Sequence, residues 1–436
     1  MAANDRSPLR RNLGLLETTL GGVGIILGAG IYVLVGEVAG KAGNTLWVSF
    51  LMAAGMAAII GLSYAELSSA YPRAGAEHEY TRQALGPRAA FVVGWLIVIG
   101  NLVAAAAVAL GFGRYLDTFW SVGPTRISIG MLAITTLIAF YGIKESVWTS
   151  IVLTLIEVGG LVFIVAIGVP HLGDFDLTDA KAGAPGIFAG GALVMFAYIG
   201  FEQVATLAEE TKDAPRVIPR ALLLSIAITT VLYLSVAVAA VSVLGWEALS
   251  GSEAPLASVA EKVLGGRAED MIAVIALFST ANTVLLLLVA ASRLIYGMAS
   301  TGTLPRFLAW VHPGLQTPAR AIVLSLIVSI GFAASGDITL VAGATNFAVF
   351  IGFAAVNLSL IVLRFTQPET PRPFRLPLNI GRLPVLPLIG LAAVAFMMAN
   401  LERQALLIGG GLFLSGVVAM EVLSLWRPLP PRDAGE

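Results

Sequence analysis

Long apolar runs, separated by short polar connections, occupy almost the whole chain. A helix that crosses the hydrocarbon core of a bilayer, about 30 Å thick, needs roughly 20 consecutive apolar residues. Twelve runs approach or exceed this length, at 13–39, 45–68, 89–113, 125–141, 145–169, 186–208, 219–244, 270–299, 319–335, 338–363, 383–400 and 404–426. The pattern predicts an all-α membrane protein with 12 transmembrane helices. It leaves no room for a separate soluble catalytic domain.

The distribution of basic residues tests this division and predicts an orientation. With a cytoplasmic N-terminus, the segments on the cytoplasmic side hold 19 of the 26 lysines and arginines, and the outer segments hold 7. Cytoplasmic loops of membrane proteins carry such an excess of basic residues. We therefore expect a multi-pass protein of the plasma (inner) membrane with both termini in the cytoplasm.

Composition narrows the possible functions. Of the 436 residues, 57% are hydrophobic and 12% are charged, whereas soluble domains carry about 25% charged residues. A net charge of −1 argues against nucleic-acid binding, which needs a basic face. The chain has no cysteine, and its three histidines, His78, His171 and His312, fall in polar connections. We therefore expect no cofactor and no metal site. A carrier is favoured over the two alternative classes, a membrane enzyme and a channel with a repeated polar lining.

Glycines interrupt two of the predicted helices at corresponding places. The first run reads GGVGIILGAGIYVL and contains Gly28 and Gly30, whereas the sixth, five runs later, reads GGALVMFAYIGFEQVA and contains Gly200. Paired interruptions of this kind are typical of carriers built from inverted repeats. A broken helix presents backbone amides that favour a carboxylate and backbone carbonyls that suit an ammonium group. Two facing breaks predict a site for an amino-acid zwitterion. The alternative is close helix packing through the Gly24–Gly28 pair.

Four ordered segments resemble one family. They are LLETTLGGVGIILGAGIYVLVG, YPRAGAEHEYTRQALG, FAYIGFEQVATLAEETKDAPRVIPRAL and ASRLIYGMASTGTLPRFLAWVHPGLQTPARA. Together they resemble the amino acid–polyamine–organocation (APC) superfamily, especially its bacterial cationic-amino-acid-transporter-like permeases. The resemblance implies alternating-access transport by a five-plus-five inverted-repeat (LeuT-like) core, with discontinuous helices 1 and 6 and two additional C-terminal helices.

The resemblance also divides the chain. It implies a cytoplasmic tail at 1–12, a first repeat at 13–169, a second repeat at 186–363, two further helices at 383–426 and a second cytoplasmic tail at 427–436.

The same resemblance assigns the substrate-binding residues. It places the substrate carboxylate on the backbone of the first break and the amino group on carbonyls of the second, next to Gly200. Asn101 matches an asparagine that lines the site of related antiporters, although a helix–helix hydrogen bond explains it equally well. The ring of Phe196 occupies the position of a tryptophan lid in arginine antiporters. The residues assigned to the two breaks are Gly28, Ala29 and Gly30 in the first, and Phe196, Ala197 and Ile199 in the second.

Acidic residues inside the predicted helices indicate coupling to an ion. Each costs roughly 2.5–3.5 kcal/mol at a helix centre. Glu157 lies 13 residues beyond Lys144, which is roughly 20 Å into the bilayer. It could carry a proton, bind a cation or be a neutral structural acid, and many members of the family have a lysine there instead. Glu202 matches a glutamate of the sixth helix in many permeases.

A polar cluster in the eighth helix is a candidate ion site. The cluster comprises Ser279, Thr280, Asn282 and Thr283, and in related carriers this helix supplies hydroxyl groups to a sodium site. The alternative is that these hydroxyls satisfy their own helix backbone.

The substrate is expected to be an amino acid or a related amine. An apolar lid at Phe196 and small apolar residues at 104–107 favour neutral amino acids, carried in symport with protons. The alternative is an exchanger of cationic amino acids or polyamines. The expected partners are therefore the small-molecule substrate, the lipid bilayer, and H⁺ or Na⁺.

Overall fold

A computed structural model describes residues 13–28, 30–72, 76–141, 147–181, 183–300, 304–315 and 317–426. Almost all of this chain is helical. The α-helices are α1 (Leu15–Leu27), α2 (Gly30–Ala42), α3 (Leu46–Ala70), α4 (Ala76–Leu85), α5 (Pro87–Trp120), α6 (Pro124–Tyr141), α7 (Val147–Gly168), α8 (Gly183–Tyr198), α9 (Ala214–Gly251), α10 (Pro255–Leu264), α11 (Gly266–Ser300), α12 (Ala319–Ala333), α13 (Ile338–Thr366), α14 (Val385–Ala399) and α15 (Arg403–Trp426).

Four 3-10 segments and one short hairpin connect these helices. The 3-10 segments are Gly43–Thr45, Val169–His171, Phe201–Glu210 and Arg306–Ala309. The hairpin pairs β1 (Asn379–Ile380) with β2 (Leu383–Pro384) in antiparallel register.

Nine segments of the described chain are long and apolar enough to cross a membrane. The described residues also include three shorter apolar helices, α1, α12 and α14. Large side chains such as Ile134, Val231 and Ile327 point outward from the bundle. In a bilayer these side chains contact lipid, and the helical backbone satisfies its own hydrogen bonds as lipid requires.

The helical structure is interrupted at both glycine positions. α1 ends at Leu27 and α2 begins at Gly30, while Ala29 lies outside the described residues. α8 ends at Tyr198 and is followed by Gly200, whose φ of 120° is in the region that favours glycine. From there the chain continues as the 3-10 segment Phe201–Glu210, so the predicted sixth run, 186–208, is two elements rather than one helix.

A buried ionic network fixes one end of the bundle. Both Glu66 on α3 and Arg364 on α13 are almost completely buried, and Arg364 Nε donates to Glu66 Oε1 over 2.8 Å. Arg372 Nε lies 3.4 Å from the same oxygen, and the backbone N–H of Leu376 donates to Glu66 Oε2 over 2.8 Å. This network joins α3 and α13 to the segment that precedes the hairpin.

A second network, centred on Arg114 of α5, lies at the opposite end. Arg114 Nη1 donates to Glu37 of α2 over 2.7 Å, and its Nε lies 3.2 Å from a carboxylate oxygen of Glu253. The other oxygen of Glu37 accepts a hydrogen bond from Thr339 of α13 over 3.0 Å. The half-helix that follows the first break is therefore tied to α5 and α13.

Candidate substrate-binding site

A cavity of about 1000 Å³, here called the central cavity, lies beside the two helix breaks. Its deep part is lined by Gly28, Gly30, Glu157, Phe196, Ala197, Ile199, Gly200 and Thr283. Its more exposed part, here called the mouth, is lined by the exposed residues Tyr141 and Arg293 and the half-buried residues Leu315 and Thr317. The mouth lies at the end of the bundle where α1 begins, and the network around Arg114 lies at the other end. The structure therefore brings most of the sequence-predicted residues around one space.

The two breaks are in direct contact. A β-carbon added to Gly30 would lie 2.5 Å from Cα and 2.8 Å from Cβ of Ala197, so only glycine permits this approach. A β-carbon at Gly200 would lie 2.9 Å from the carbonyl oxygen of Ile25. The backbone groups released by each interruption are therefore concentrated in one small region beside the cavity.

Tyr233 of α9 connects the two breaks through its hydroxyl. This group lies 2.9 Å from the carbonyl oxygen of Ile26, 3.0 Å from that of Leu27 and 3.1 Å from that of Ala197. A hydroxyl has one proton and donates to one of these acceptors at a time. Sequence reasoning missed Tyr233, and the available signal was a tyrosine in the middle of the apolar run 219–244.

Glu157 of α7 contacts α11 and lines the central cavity. The residue is buried, with 7% of its surface exposed, and Ser279 Oγ donates to its Oε1 over 2.5 Å. Tyr32 donates to its backbone carbonyl over 3.3 Å. Within the described part of the chain, no lysine or arginine forms an ion pair with it. Glu157 is thus an acid in the depth of the cavity with a neutral partner.

The hydroxyl cluster of α11 divides into two parts. Ser279 contacts Glu157, and Thr283 lines the cavity within 3.0 Å of a β-carbon added to Gly28. The hydroxyl of Thr283 also donates to the carbonyl of Ser279 over 2.9 Å, and Thr280 donates to the carbonyl of Ala276 over 2.7 Å, so both threonines are hydrogen-bonded within their own helix. The described residues contain no group of three or more His, Cys, Asp or Glu side chains that could hold a metal ion.

A second space of about 310 Å³, here called the side cavity, adjoins the first. The two share the walls Ala104, Ile199, Gln203 and Ala290. The side cavity is lined by the predicted residues Asn101 and Glu202, and also by Tyr64, Glu77 and His78. The structure thus separates Asn101 from the glycine break of α1 and places it in the adjoining space.

The carboxylate of Glu202 is bound to the second break. Its Oε2 accepts a hydrogen bond from the backbone N–H of Gly200 over 2.9 Å. This contact satisfies an amide at the start of the 3-10 segment, as a capping residue does. Glu202 therefore stabilises the interrupted backbone in this structure.

Glu77 and His78 lie on α4, outside the membrane-spanning segments. Tyr64 donates to Glu77 Oε1 over 3.0 Å. Burial raises the pKa of Glu77 above its ordinary value of 4.5, and burial lowers the pKa of His78 below 6.5. The sequence places His78 in a polar connection, but its helix brings it to the wall of the side cavity.

Comparison with known proteins identifies the family. The model of the family described as "Amino acid permease" matches residues 13–418. The chain therefore belongs to the amino acid permease family of the APC superfamily, as its motifs predicted, and is a multi-pass membrane transporter. The family and its named relatives are transporters rather than enzymes.

Three relatives are named for different substrates. The chain is 28% identical to the branched-chain amino acid permease BcaP of Bacillus subtilis over 92% of this chain and 90% of that protein. It is 29% identical to the methylthioribose transporter of the same organism, over 92% of this chain and 90% of that protein. It is also 29% identical to human cationic amino acid transporter 4, over 83% of this chain and 61% of the human protein.

Proposed function

We propose that the protein is a secondary active transporter that carries neutral amino acids in symport with protons across the plasma membrane. The main support for this proposal is the central cavity, where two glycine-dependent helix breaks and one buried carboxyl group meet. The backbone at Gly28, Ala29 and Gly30 would bind the substrate carboxylate, and the carbonyls at Phe196, Ala197 and Ile199 would bind its amino group.

The lining of the central cavity supports a neutral substrate. Apart from Glu157 in its depth and Arg293 at its mouth, the described residues that line it are uncharged. Phe196, a buried aromatic ring at the second break, would cover an apolar side chain. The branched-chain specificity in the name of BcaP is consistent with this proposal.

Glu157 supports coupling to protons. A carboxyl group in the bilayer without a cationic partner is costly to ionise. The hydrogen bond from Ser279 links Glu157 on α7 to α11. In this proposal Glu157 takes up a proton when it faces one side and releases it on the other, with Glu202 as the second candidate. Ser279, Thr280 and Thr283 remain the candidates for a sodium site if the coupling ion is Na⁺.

One observation favours a second candidate, an exchanger of cationic amino acids or polyamines. The side cavity adjoins the central cavity through Ile199 and Ala104, and two carboxyl groups, Glu77 and Glu202, line it. A long side chain bound at the breaks would reach these groups and place its ammonium or guanidinium between them. The name of human cationic amino acid transporter 4 agrees with this alternative.

The proposed topology follows from the helices. We assign twelve transmembrane segments to α1 with α2, α3, α5, α6, α7, α8 with its 3-10 extension, α9, α11, α12, α13, α14 and α15. Residues 13–169 and 186–363 then form two inverted repeats, each opening with an interrupted helix, and 383–426 form the additional pair. The bias of basic residues supports cytoplasmic termini, so the central cavity would open to the cytoplasm.

Uptake into proteoliposomes tests this function. Under an inward proton gradient, the purified protein should accumulate leucine, and a sodium gradient alone should not drive accumulation. Parallel assays with arginine and putrescine distinguish the second candidate. Accumulation of arginine but not leucine would replace the first substrate assignment by the second. Sodium-driven uptake at constant pH would replace the proton by Na⁺.

Glu157→Gln locates the coupling group. Glutamine keeps the size and the ability to accept from Ser279 but cannot release a proton. We expect proton-driven accumulation to disappear, while leucine exchange between the two sides continues. Asp213→Asn, at an exposed pair on the start of α9, is the matched control and should behave like the parent. Unchanged proton-driven accumulation in Glu157→Gln would transfer the role to Glu202.

A further inference from the structure

A groove on the outer surface of the bundle lies next to the mouth. It has a volume of about 460 Å³ and is lined by Phe307, Leu308, Trp310, Ala319, Arg320, Val323, Leu324 and Ile327. Phe307, Trp310, Val323 and Ile327 are exposed outside the bundle. This surface, here called the α12 groove, combines the lipid-facing side of α12 with the connection that precedes it.

The α12 groove consists of an apolar stripe with a cationic side chain at one end. Val323 and Ile327 lie one turn apart on α12, so they form a continuous apolar stripe. At the start of the helix, the guanidinium carbon of Arg320 lies 5.2 Å from the centre of the Trp310 ring, and Arg320 Nη1 donates to the carbonyl of Phe307 over 3.1 Å. Two contacts therefore hold the charged group at the end of the stripe.

The charge around this end is positive. Arg306 is exposed on the same 3-10 turn as Phe307. Among the described residues that line the groove, none is acidic. Arg320 uses one of its five N–H groups for Phe307, and the guanidinium can offer the others to an anion.

We propose that the α12 groove binds an anionic phospholipid of the bilayer. The acyl chain lies along Val323 and Ile327, and the headgroup phosphate contacts Arg320. Trp310 lies at the level of the headgroups, where tryptophan is enriched in membrane proteins. Basic residues at a membrane surface attract anionic lipids by about 1 kcal/mol each, which corresponds to about a fivefold preference over a zwitterionic lipid.

The position of the groove brings such a lipid next to the mouth. Leu315, Thr317, Pro318 and Ile322 line the central cavity, whereas Ala319, Arg320, Val323 and Leu324 line the groove. The segment 317–324 therefore lies between the groove and the mouth. Thr317 also donates to the carbonyl of Phe140 at the end of α6 over 2.9 Å, which anchors this wall to the opposite side of the mouth.

Quenching of Trp310 fluorescence by brominated lipids tests the proposal. The full-length protein is placed in phosphatidylcholine vesicles that contain a low fraction of either brominated phosphatidylglycerol or brominated phosphatidylcholine. Because the chain has seven tryptophans, the Trp310 signal is the difference between the parent and Trp310→Phe. We expect the glycerol lipid to quench this signal at about one fifth of the concentration that the choline lipid requires.

Charge variants identify the contact. Arg320→Gln should remove most of the difference between the two lipids, and Arg320→Lys should keep most of it. Arg267→Gln is the matched control, since Arg267 is an exposed arginine at the start of α11. Equal quenching by both lipids in the parent, or an unchanged preference in Arg320→Gln, would overturn the proposal.

Discussion

The hydroxyl of Tyr233 lies 3.1 Å from the backbone carbonyl oxygen of Ala197. The same hydroxyl lies 2.9 Å from the carbonyl oxygen of Ile26, at the end of α1. The two helix breaks thus share one hydrogen-bond donor, carried by a third helix. A carbonyl at a broken helix end is costly to leave unpaired in an apolar environment, so this donor stabilises the site without occupying it.

Tyr233→Phe should weaken the site more than the fold. Leaving a buried acceptor unsatisfied costs about 1–3 kcal/mol, so the melting temperature should fall by several degrees. Leucine exchange should fall at least tenfold, because the geometry of both breaks depends on the hydroxyl. Tyr80→Phe is the matched control, since the hydroxyl of Tyr80 is buried without a hydrogen-bond partner among the described residues. Equal melting temperatures and equal exchange in parent and Tyr233→Phe would contradict the bridging role.

Glu66→Gln should strongly destabilise the protein. The substitution leaves two arginines, Arg364 and Arg372, without their shared carboxylate in a buried region, and loss of one partner of a buried pair costs about 3–5 kcal/mol. Thermal unfolding in detergent measures the effect. Asp213→Asn removes an exposed ion pair with Arg216 and should change stability by less than about 1 kcal/mol. Similar losses in the two variants would show that the buried network has no special importance.

Arg114→Gln should favour closure of the mouth. Its ion pair with Glu37 joins α5 to α2 at the end opposite the mouth, where we expect it to resist opening. A partly exposed pair contributes about 0.2–1 kcal/mol, which is up to a fivefold shift between two conformations. The chain has no cysteine, so Ala290→Cys introduces a single labelling site in the cavity wall. Labelling by a maleimide from the mouth side should slow in Arg114→Gln. It should not slow in Arg126→Gln, an exposed arginine at the same end as Arg114. Unchanged labelling in Arg114→Gln would exclude a role for this network in closure.

Glu77 should make stability depend on pH. Burial raises the pKa of Glu77 above 4.5, so the folded state retains the proton to higher pH than the unfolded chain. The stability that protonated Glu77 contributes is therefore fully present below pH 4.5, and it is lost as the pH rises through the folded-state pKa. Glu77→Gln should raise the melting temperature at pH 8 and change it little at pH 5. His78→Gln should act in the opposite sense, raising stability below pH 6.5, because burial lowers the pKa of His78. Parallel pH profiles for Glu77→Gln and the parent would contradict the assignment.

The features that were predictable from sequence are those that stand out within an apolar run. Gly30 and Gly200 interrupt such runs, and Glu157 places a charge in one, so each is visible without knowledge of its neighbours. The family motifs extended the prediction to the elements on either side of each break.

The partners of these residues could not be predicted, because they depend on how separate helices are rotated and packed. Ser279 contacts Glu157 across 122 positions of sequence, and Tyr233 reaches Ile26 across 207. Asn101 was assigned to the substrate by resemblance, whereas the course of α5 brings it to the side cavity. Glu77 belongs to a polar stretch that reads as a loop, and only the fold shows that α4 covers a cavity.

Substrate protection of a single cysteine tests the central claim, that amino acids bind between the two helix breaks. Thr283→Cys places the thiol next to Gly28 in the deep part of the central cavity, and Leu315→Cys places one at its mouth. The account predicts that leucine at a concentration that saturates exchange slows maleimide labelling of Thr283→Cys severalfold and leaves Leu315→Cys unaffected. Equal labelling rates of Thr283→Cys with and without leucine, in protein that still exchanges leucine, would contradict it.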